Sequence, residues 1–270
     1  NGRLSSITDV LGLTSSFTYD AGTFIRAMTT PYGTSRFTYG ESGADRWLEM
    51  RDPLGAIERV EFKHSASGMP YSDPRGTPAG MAADNTYLYY RNSFYWNKHA
   101  YKLAGIDYAK ARVTHWYHDN RNASYTSTAI ESIQNSLEGR IWFRSPNDSG
   151  YFAGSYNSPS QIGRVLDDGS SQVMGLTYNE AGNVASTTDP AGRLTEFFYA
   201  GNRTDVVRVR QKGPTGRYYT TARFTYNDQH RPLTYTDAAG QISTYSYNAG
   251  GQLLTEQNPL GQVTSYEYDS

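Results

Sequence analysis

The chain has 270 residues, of which 25 are basic and 26 acidic, so its formal net charge at pH 7 is −1. This balance gives no general electrostatic attraction to nucleic acid or to an anionic membrane surface. The absence of cysteine excludes disulfides, thiolate metal sites and a cysteine nucleophile. No apolar run approaches the roughly 18 residues of a membrane-spanning helix. The 24 tyrosines and 26 glycines favour half-exposed strands joined by frequent turns.

From the first residues onward, short β-like runs end in a tyrosine. Consecutive tyrosines of this set are often 20 or 21 residues apart. A short fixed period predicts stacked structural units rather than one globule closed around a central site. The seven repeat tyrosines are Tyr19, Tyr39, Tyr178, Tyr199, Tyr226, Tyr247 and Tyr268.

Within each unit an Asp or Asn is followed three residues later by a glycine. Such a pair predicts a turn, because the Asx side chain bonds the turn backbone and glycine accepts a positive φ. The flanking runs alternate polar and aromatic residues, as between Thr244 and Tyr247, which is typical of strands. The terminal tyrosine suits a buried ring with its hydroxyl in water. The five turn pairs are Asp9 with Gly12, Asp52 with Gly55, Asp189 with Gly192, Asp237 with Gly240, and Asn258 with Gly261.

The repeating pattern Gly-x-Leu, Asp-Pro-x-Gly, Tyr-x-Tyr-Asp resembles the YD repeat of the Rhs (rearrangement hotspot) proteins. The resemblance covers residues 1–76 and 163–270 and includes complete units at 182–199, 231–248 and 251–269. That superfamily includes bacterial polymorphic toxins, the BC component of toxin complexes, and the extracellular part of animal teneurins. The resemblance implies an all-β fold with little or no helix. Its antiparallel hairpin repeats would form a curved, spiralling sheet that is a segment of a hollow shell.

The resemblance also implies a function. The chain would be a non-enzymatic wall segment that encloses a C-terminal toxin or effector segment until delivery. Its partners would be the remainder of the shell and the enclosed effector, with a component of a secretion apparatus as a further candidate. We expect a protein secreted or delivered from a bacterial cell and cytoplasmic before export. Both ends of the sequence fall inside the repeat pattern, so we expect an arc of a longer wall.

The middle of the chain lacks the repeat. We divide the chain into a first repeat block, 1–76, an aromatic-rich irregular β segment, 77–160, and a second repeat block, 161–270. The middle segment belongs to the same sheet in this interpretation. Its tryptophans, Trp96, Trp116 and Trp142, either fill a core or form a glycan or protein contact. The alternative function is therefore a carbohydrate-binding or adhesive surface module.

Candidate chemistry is sparse. His115, His118 and Asp119 would form a metal site on a helix, but their neighbours favour a strand. Residues three apart on a strand point to opposite faces, so we expect the two histidines to diverge. Asp167 and Asp168 form an acidic pair whose following glycine indicates a turn. The sequence predicts no enzyme activity, no catalytic, cofactor or metal site, and no nucleic-acid partner.

Overall fold

The structure, a computed structural model, describes residues 2–119, 121–122, 124–154 and 158–269. The chain divides into two compact units, 1–172 and 173–270. In both units each strand pairs antiparallel with the strand that follows it in sequence, which is the arrangement of consecutive hairpins. The all-β prediction is confirmed.

The first unit holds eleven strands in its described part. Successive pairing runs from the first strand to the last. One short helix, α1 (Lys98–Ala104), and a 3-10 turn (Tyr108–Lys110) lie between the seventh and eighth strands. The strands are β1 (Ser6–Thr8), β2 (Thr14–Tyr19), β3 (Ile25–Thr30), β4 (Gly33–Ser42), β5 (Asp45–Arg51), β6 (Ile57–Ser65), β7 (Tyr90–Trp96), β8 (Arg112–His118), β9 (Thr126–Gln134), β10 (Ile141–Arg144) and β11 (Gln161–Val165).

The second unit holds nine strands in its described part, and its successive pairing is equally regular. The strands are β12 (Ser171–Tyr178), β13 (Val184–Thr188), β14 (Leu194–Tyr199), β15 (Val206–Lys212), β16 (Tyr218–Tyr226), β17 (Pro232–Asp237), β18 (Ile242–Tyr247), β19 (Leu253–Gln257) and β20 (Val263–Ser265). The first of these strands begins two residues before the unit boundary.

Each of the five predicted Asx–Gly pairs forms the same turn. The Asx Oδ1 accepts two backbone N–H groups; Asp237 Oδ1, for example, accepts from Ala239 at 2.8 Å and Gln241 at 2.9 Å. The turn thus rests on bonds within five consecutive residues. In every pair the glycine N–H also donates to the Asx carbonyl: Gly12 to Asp9 at 3.0 Å, Gly55 to Asp52 at 3.0 Å, Gly192 to Asp189 at 2.9 Å, Gly240 to Asp237 at 3.1 Å, and Gly261 to Asn258 at 2.9 Å.

The turn glycines are required for their backbone conformation and not for lack of space. All five are exposed, and a Cβ added at any of them would meet no atom closer than 3.7 Å. Their φ values lie in the left-handed region, where a side chain is strained even with free space around it. These values are 79° for Gly12, 86° for Gly55, 78° for Gly192, 82° for Gly240 and 80° for Gly261.

The repeat tyrosines close the opposite end of the hairpin. Tyr247, the last residue of β18, donates its hydroxyl to the carbonyl of Pro232, the first residue of β17, at 2.9 Å. The same bond joins Tyr199 to Val184 at 2.7 Å. The expected hydroxyl in water is therefore wrong for these tyrosines: the ring spans two strands and its hydroxyl satisfies a backbone acceptor. The further pairs are Tyr19 with Leu4, Tyr226 with Val206, and Tyr268 with Leu253.

A register shift precedes most of these tyrosines. It falls between Ser246 and Tyr247, for instance, and such a bulge re-aims the side chain that follows it. The residue after the tyrosine then begins a second Asx turn: Asn248 Oδ1 accepts from the Gln252 N–H at 2.9 Å. Asp20, Asn179 and Asn227 make the equivalent contacts. One hairpin is thereby linked to the next by the same local chemistry.

Two repeat tyrosines, Tyr39 and Tyr268, depart from the common position. Tyr39 lies inside β4, because the β4–β5 hairpin continues to Ser42, so the prediction that it ends a strand is wrong. Its ring packs against Phe24, with centroids 4.4 Å apart. Tyr268 lies beyond β20 but keeps the hydroxyl bond to the backbone. Tyr178 ends β12 as predicted in position.

The buried apolar side chains of the described residues are confined to the first unit. A cluster around Phe94 and Trp96 includes Ala66, Ala111 and Val113, with Tyr101 and Tyr108 packed against it. A second cluster contains Tyr117, Ala129 and Ala153. In the described residues of the second unit no apolar side chain is buried, and Asp205 is the one buried residue. None of the helices described is long and apolar enough to cross a membrane.

Candidate functional site

Two of the three predicted contact tryptophans belong to the core. Trp96 is 0% exposed and Trp142 is 1% exposed. The Trp96 indole donates to the carbonyl of Asp107 at 2.9 Å and stacks near Phe94. A ligand cannot reach a ring without accessible surface. The predicted surface contact is therefore wrong for these two residues, and the aromatic content of the middle segment largely reflects packing.

Trp116 lies instead at an open groove on the sheet of the first unit. The groove has a volume of about 790 Å³. The Trp116 indole donates to the hydroxyl of Ser93 on the neighbouring strand β7 at 2.9 Å, and this bond fixes the orientation of the ring. Aromatic walls with a few polar groups are typical of small-molecule sites. The other lining residues include Phe24, Tyr39, Trp47, Leu48, Val60, Phe62, Glu41, Arg46 and Thr126 to Thr128.

Trp47 forms a second flat wall of this groove. Its ring lies directly against its cross-strand partner Gly40, where an added Cβ would come within 2.7 Å of the indole nitrogen. Behind it, the Arg59 guanidinium lies 4.3 Å from the ring centroid. Arg59 is itself held by Glu61 at 2.8 Å and Glu49 at 3.4 Å. The indole is therefore fixed by a glycine on one strand and a buried cation on another.

A buried polar cluster, which no motif in the sequence indicates, lies next to the core. Arg91, His115 and Glu131 come from β7, β8 and β9 and are each at most 1% exposed. Arg91 has a positive φ of 53°, in the left-handed region that a long side chain rarely adopts. Its guanidinium donates to the Trp116 carbonyl at 2.8 Å and reaches His118 Nε2 at 2.8 Å. The two predicted histidines thus converge on one arginine.

This convergence contradicts the expectation that His115 and His118 diverge. The pairing of β8 with β9 shifts register between His115 and Trp116 and again before His118. A strand with such irregularities no longer alternates strictly, so residues three apart can approach the same group. The Arg91 guanidinium lies 3.4 Å from His115 Nε2 as well.

Burial sets the charge state of the pair formed by His115 and Glu131. His115 Nε2 lies 3.2 Å from Glu131 Oε2, and His115 Nδ1 contacts Asn92 Oδ1 at 3.0 Å. Burial raises the pKa of Glu131 to about 8, against the opposing attraction of Arg91. Burial, followed by the charges of Arg91 and Arg140, holds the pKa of His115 well below its ordinary value. Near pH 7 the histidine is neutral and the carboxyl is mostly protonated.

The His115, His118 and Asp119 group does not assemble as a metal site. His118 Nε2 faces the Arg91 guanidinium, a donor, so this nitrogen accepts a hydrogen bond instead of binding a cation. Asp119 Oδ1 accepts from the backbone of Arg121 at 2.7 Å. Across the described ranges, no three His, Asp or Glu side chains converge as metal ligands.

The acidic pair Asp167 and Asp168 belongs to a turn. Asp168 Oδ1 accepts from the Ser170 N–H and hydroxyl, and these bonds lower the pKa of the Asp168 carboxyl. Asp167 pairs with Arg75 at 2.9 Å. The two carboxylates therefore have separate partners and do not share a proton.

A smaller cavity of about 370 Å³ adjoins the polar cluster. Arg91 and His118 reach its wall, and its remaining lining is mainly aromatic, from Tyr87, Tyr90, Tyr151 and His64. Tyr87 also has a positive φ, 56°. The fully buried members of the cluster, His115 and Glu131, are not among the lining residues. The arrangement stabilises the junction of three strands and offers no exposed acid–base pair.

Comparison with known proteins shows which parts of the chain resemble a known family and a known fold. The RHS repeat model matches residues 1–35 and 226–261. No curated protein sequence matches the chain. Among solved structures, the chain is similar to TcdB2–TccC3 without its hypervariable C-terminal region, with a TM-score of 0.54 and 11% identity. That match covers 98% of this chain and 14% of the solved chain.

The chain is also similar to the Tc holotoxin pore of Photorhabdus luminescens that carries a TccC3 substitution. The TM-score is 0.53 at 10% identity, and the match covers 95% of this chain and 13% of the other. The chain therefore spans about one seventh of the length of these solved chains. At such identities the likeness concerns the fold. The predicted resemblance is confirmed: residues 1–35 and 226–261 match the RHS repeat, and the fold of the chain resembles a segment of the TcdB2–TccC3 structures.

Proposed function

We propose that the chain is a non-enzymatic wall segment of an Rhs shell that encloses a C-terminal effector segment until delivery. One observation supports this above the others: in the described part of the second unit, hairpin follows hairpin with no buried apolar side chain. Such a sheet does not need a second layer, so both faces can meet solvent or another polypeptide. The wall of a shell needs two faces of this kind, one toward solvent and one toward the enclosed segment. An enzyme scaffold, in contrast, normally fixes its site on a packed core.

In the second unit, hydrogen bonds close both ends of the β13–β14, β17–β18 and β19–β20 hairpins, which suits a wall built of repeated units. An Asx turn holds one end and a tyrosine hydroxyl holds the other, as with Asp189 and Tyr199 around β13 and β14. Each added hairpin then brings its own stabilisation and leaves one free edge for the next. The effector, the remaining wall and a delivery apparatus are the partners in this proposal. In this proposal the protein is secreted or delivered from a bacterial cell.

The test uses the full gene product in which this chain occurs, with an epitope placed in its C-terminal segment. Limited proteolysis of the native protein should leave the epitope intact, whereas the same digestion in denaturant should remove it. A phenylalanine exchange at Tyr199, Tyr226 and Tyr247 together should speed epitope loss, because it weakens three hairpins. An epitope digested equally fast in native and denatured protein would refute enclosure.

The groove on the first unit favours carbohydrate binding as a second candidate function. Trp47 and Trp116 present two fixed indoles, and Glu41 and Arg46 supply polar groups beside them. Flat apolar rings can stack on the C–H face of a sugar ring, and adjacent hydrogen-bonding groups can bind its hydroxyl groups. A glycan array should then show binding that Trp47→Ala or Trp116→Ala abolishes and that Tyr219→Ala, an exposed tyrosine elsewhere, retains. Lack of binding at millimolar sugar would exclude this function.

A further inference from the structure

Two arginines face each other on neighbouring strands of the second unit. Arg208 of β15 and Arg223 of β16 are direct register partners, so their side chains share one face of the sheet. Arg210, two residues along β15, lies on that same face. Like charges directly opposite each other destabilise an antiparallel pair. We call Arg208, Arg210 and Arg223 the arginine patch.

The arginine patch carries more positive charge than its surroundings neutralise. Arg210 Nε donates to Glu196 Oε2 at 2.7 Å. Within the described residues, Arg208 and Arg223 have no ion pair, and Arg208 Nε is shielded from solvent without a hydrogen-bond partner. Three guanidinium groups therefore share a single carboxylate. An excess of two charges remains on an accessible face, where Arg223 is exposed.

Aromatic rings hold two of these guanidinium groups in place. Arg208 lies 4.0 Å from the ring centroid of Phe198. Arg210 lies 4.1 Å from that of Tyr218 and 4.8 Å from that of Phe198. Such stacking pre-organises the donor forks and reduces the side-chain entropy lost when a ligand binds. It also occupies one face of the Phe198 and Tyr218 rings, which leaves less ring surface for base stacking by single-stranded nucleic acid.

We propose that the arginine patch binds the carboxylates of an extended acidic polypeptide segment. Guanidinium forks match carboxylates in geometry and charge. In an extended strand, alternate residues are about 7 Å apart on one face, both for Arg208 and Arg210 and for alternate acidic residues of the ligand. The partly occupied rings favour an acidic polypeptide over a single-stranded nucleic acid, which would need them for base stacking. This binding does not depend on enclosure of an effector, so either proposal can fail alone.

The experiment is a calorimetric titration of the purified chain with a short poly-L-glutamate peptide at low ionic strength. Arg208→Gln and Arg223→Gln should each weaken binding by about two- to fivefold, the range expected for partly exposed ion pairs. Glu196→Gln should strengthen binding, because it frees Arg210 from its internal partner. A merely structural role of the arginines would not produce this gain. Added salt should weaken binding throughout.

Arg26→Gln is the matched control. Arg26 is an exposed arginine on β3 of the first unit, with no ion pair in the part of the chain described, and its loss changes the net charge equally. Binding should be unchanged in this variant. The proposal is overturned by absence of binding at low salt, by an equal loss with Arg26→Gln, or by tighter binding of oligothymidylate than of poly-L-glutamate.

Discussion

The two units are built from the same kind of hairpin but are stabilised differently. The first unit buries Trp96 and Trp142, packs Trp96 among apolar side chains, and adds a buried polar cluster at Arg91. The second has no buried apolar side chain among its described residues. Its stability must come from the backbone ladder and from side-chain bonds that recur in several of its hairpins. The difference indicates that a regular repeat can dispense with a core when most of its hairpins carry their own closing bonds.

Hydroxyl pairs between strands add to these repeated bonds. Thr225 and Thr234 pair at 2.7 Å, and Ser246 and Thr255 pair at 2.6 Å. Each pair joins neighbouring strands on the polar face and adds no exposed apolar surface. Side-chain pairs of this kind contribute roughly 0.2–1 kcal/mol each. The repetition of small contributions replaces the single large contribution of a packed core.

The largest expected effect comes from emptying the core of the first unit. Trp96→Ala should lower the free energy of unfolding by about 3–5 kcal/mol, because it leaves a cavity in a packed cluster. Phe224→Ala, the matched change at a half-exposed aromatic residue of the second unit, should cost about 1 kcal/mol. Urea unfolding read by hydrogen exchange can follow each unit separately. Equal losses in the free energy of unfolding for Trp96→Ala and Phe224→Ala would contradict the proposed difference in how the two units are stabilised.

A decline in stability between about pH 4.5 and pH 8 should mark the first unit. The raised pKa of Glu131, about 8 against an ordinary 4.5, means that the folded protein retains a proton that the unfolded chain releases. Its contribution to stability is complete below pH 4.5 and declines up to about pH 8. Over that window the folding equilibrium constant falls roughly tenfold for each pH unit. Glu131→Gln should abolish this decline, which urea unfolding at a series of pH values measures.

The control variant for that experiment is Glu41→Gln, which changes an exposed carboxyl. The dependence of its stability on pH should equal that of the unaltered chain. His115 acts in the opposite direction. Its lowered pKa gives stability that is present above pH 6.5 and is lost as the pH falls through the folded value. The contribution of His115 to the pH dependence is expected in both the unaltered chain and Glu131→Gln, so it drops out of the difference between them. An unchanged slope in the variant would show that the carboxyl is not held neutral.

In the second unit, the side-chain bonds of the Asx turns should contribute more to the free energy of unfolding than the apolar side chains beside those turns. Asp237→Ala removes the acceptor of two backbone N–H groups and should cost about 1–2 kcal/mol. Asp228→Ala, at an exposed turn position whose carboxylate has no hydrogen bond within the residues described, should be neutral. The midpoint of urea unfolding measures both. A neutral Asp237→Ala would mean that glycine alone fixes the turn.

The smallest predicted effect concerns the tyrosine closure. Tyr247→Phe keeps the ring but removes the hydroxyl bond to Pro232, so we expect a loss of about 0.5–1.5 kcal/mol. Tyr39→Phe should change stability by less than about 0.5 kcal/mol. Its hydroxyl makes no hydrogen bond to any residue that the structure describes, although the sequence placed both tyrosines in one class. Equal effects would argue that the ring, and not the hydroxyl, closes the hairpin.

The sequence predicted what depends on neighbouring residues. The turn at Asp237 and Gly240 is encoded within five positions, so its geometry follows from residue type. The hydroxyl bond of Tyr247 was missed, because its acceptor lies 15 residues away and its direction depends on a bulge. The Arg91 cluster was missed because its members lie on three strands, with no motif in sequence. The burial of Trp96 likewise depends on packing that composition alone does not reveal.

The most direct test of this account is native-state hydrogen exchange of the intact chain, resolved to single hairpins. We expect the amides of β13 to β19 to be protected well above the rates of an unfolded peptide, in the absence of a core. We further expect Tyr247→Phe to reduce protection mainly in β17 and β18, because Asp237 and Tyr247 close the two ends of this hairpin. Exchange of the second unit at unfolded rates, while the first unit stays protected, would contradict the claim that these repeats stand without a core.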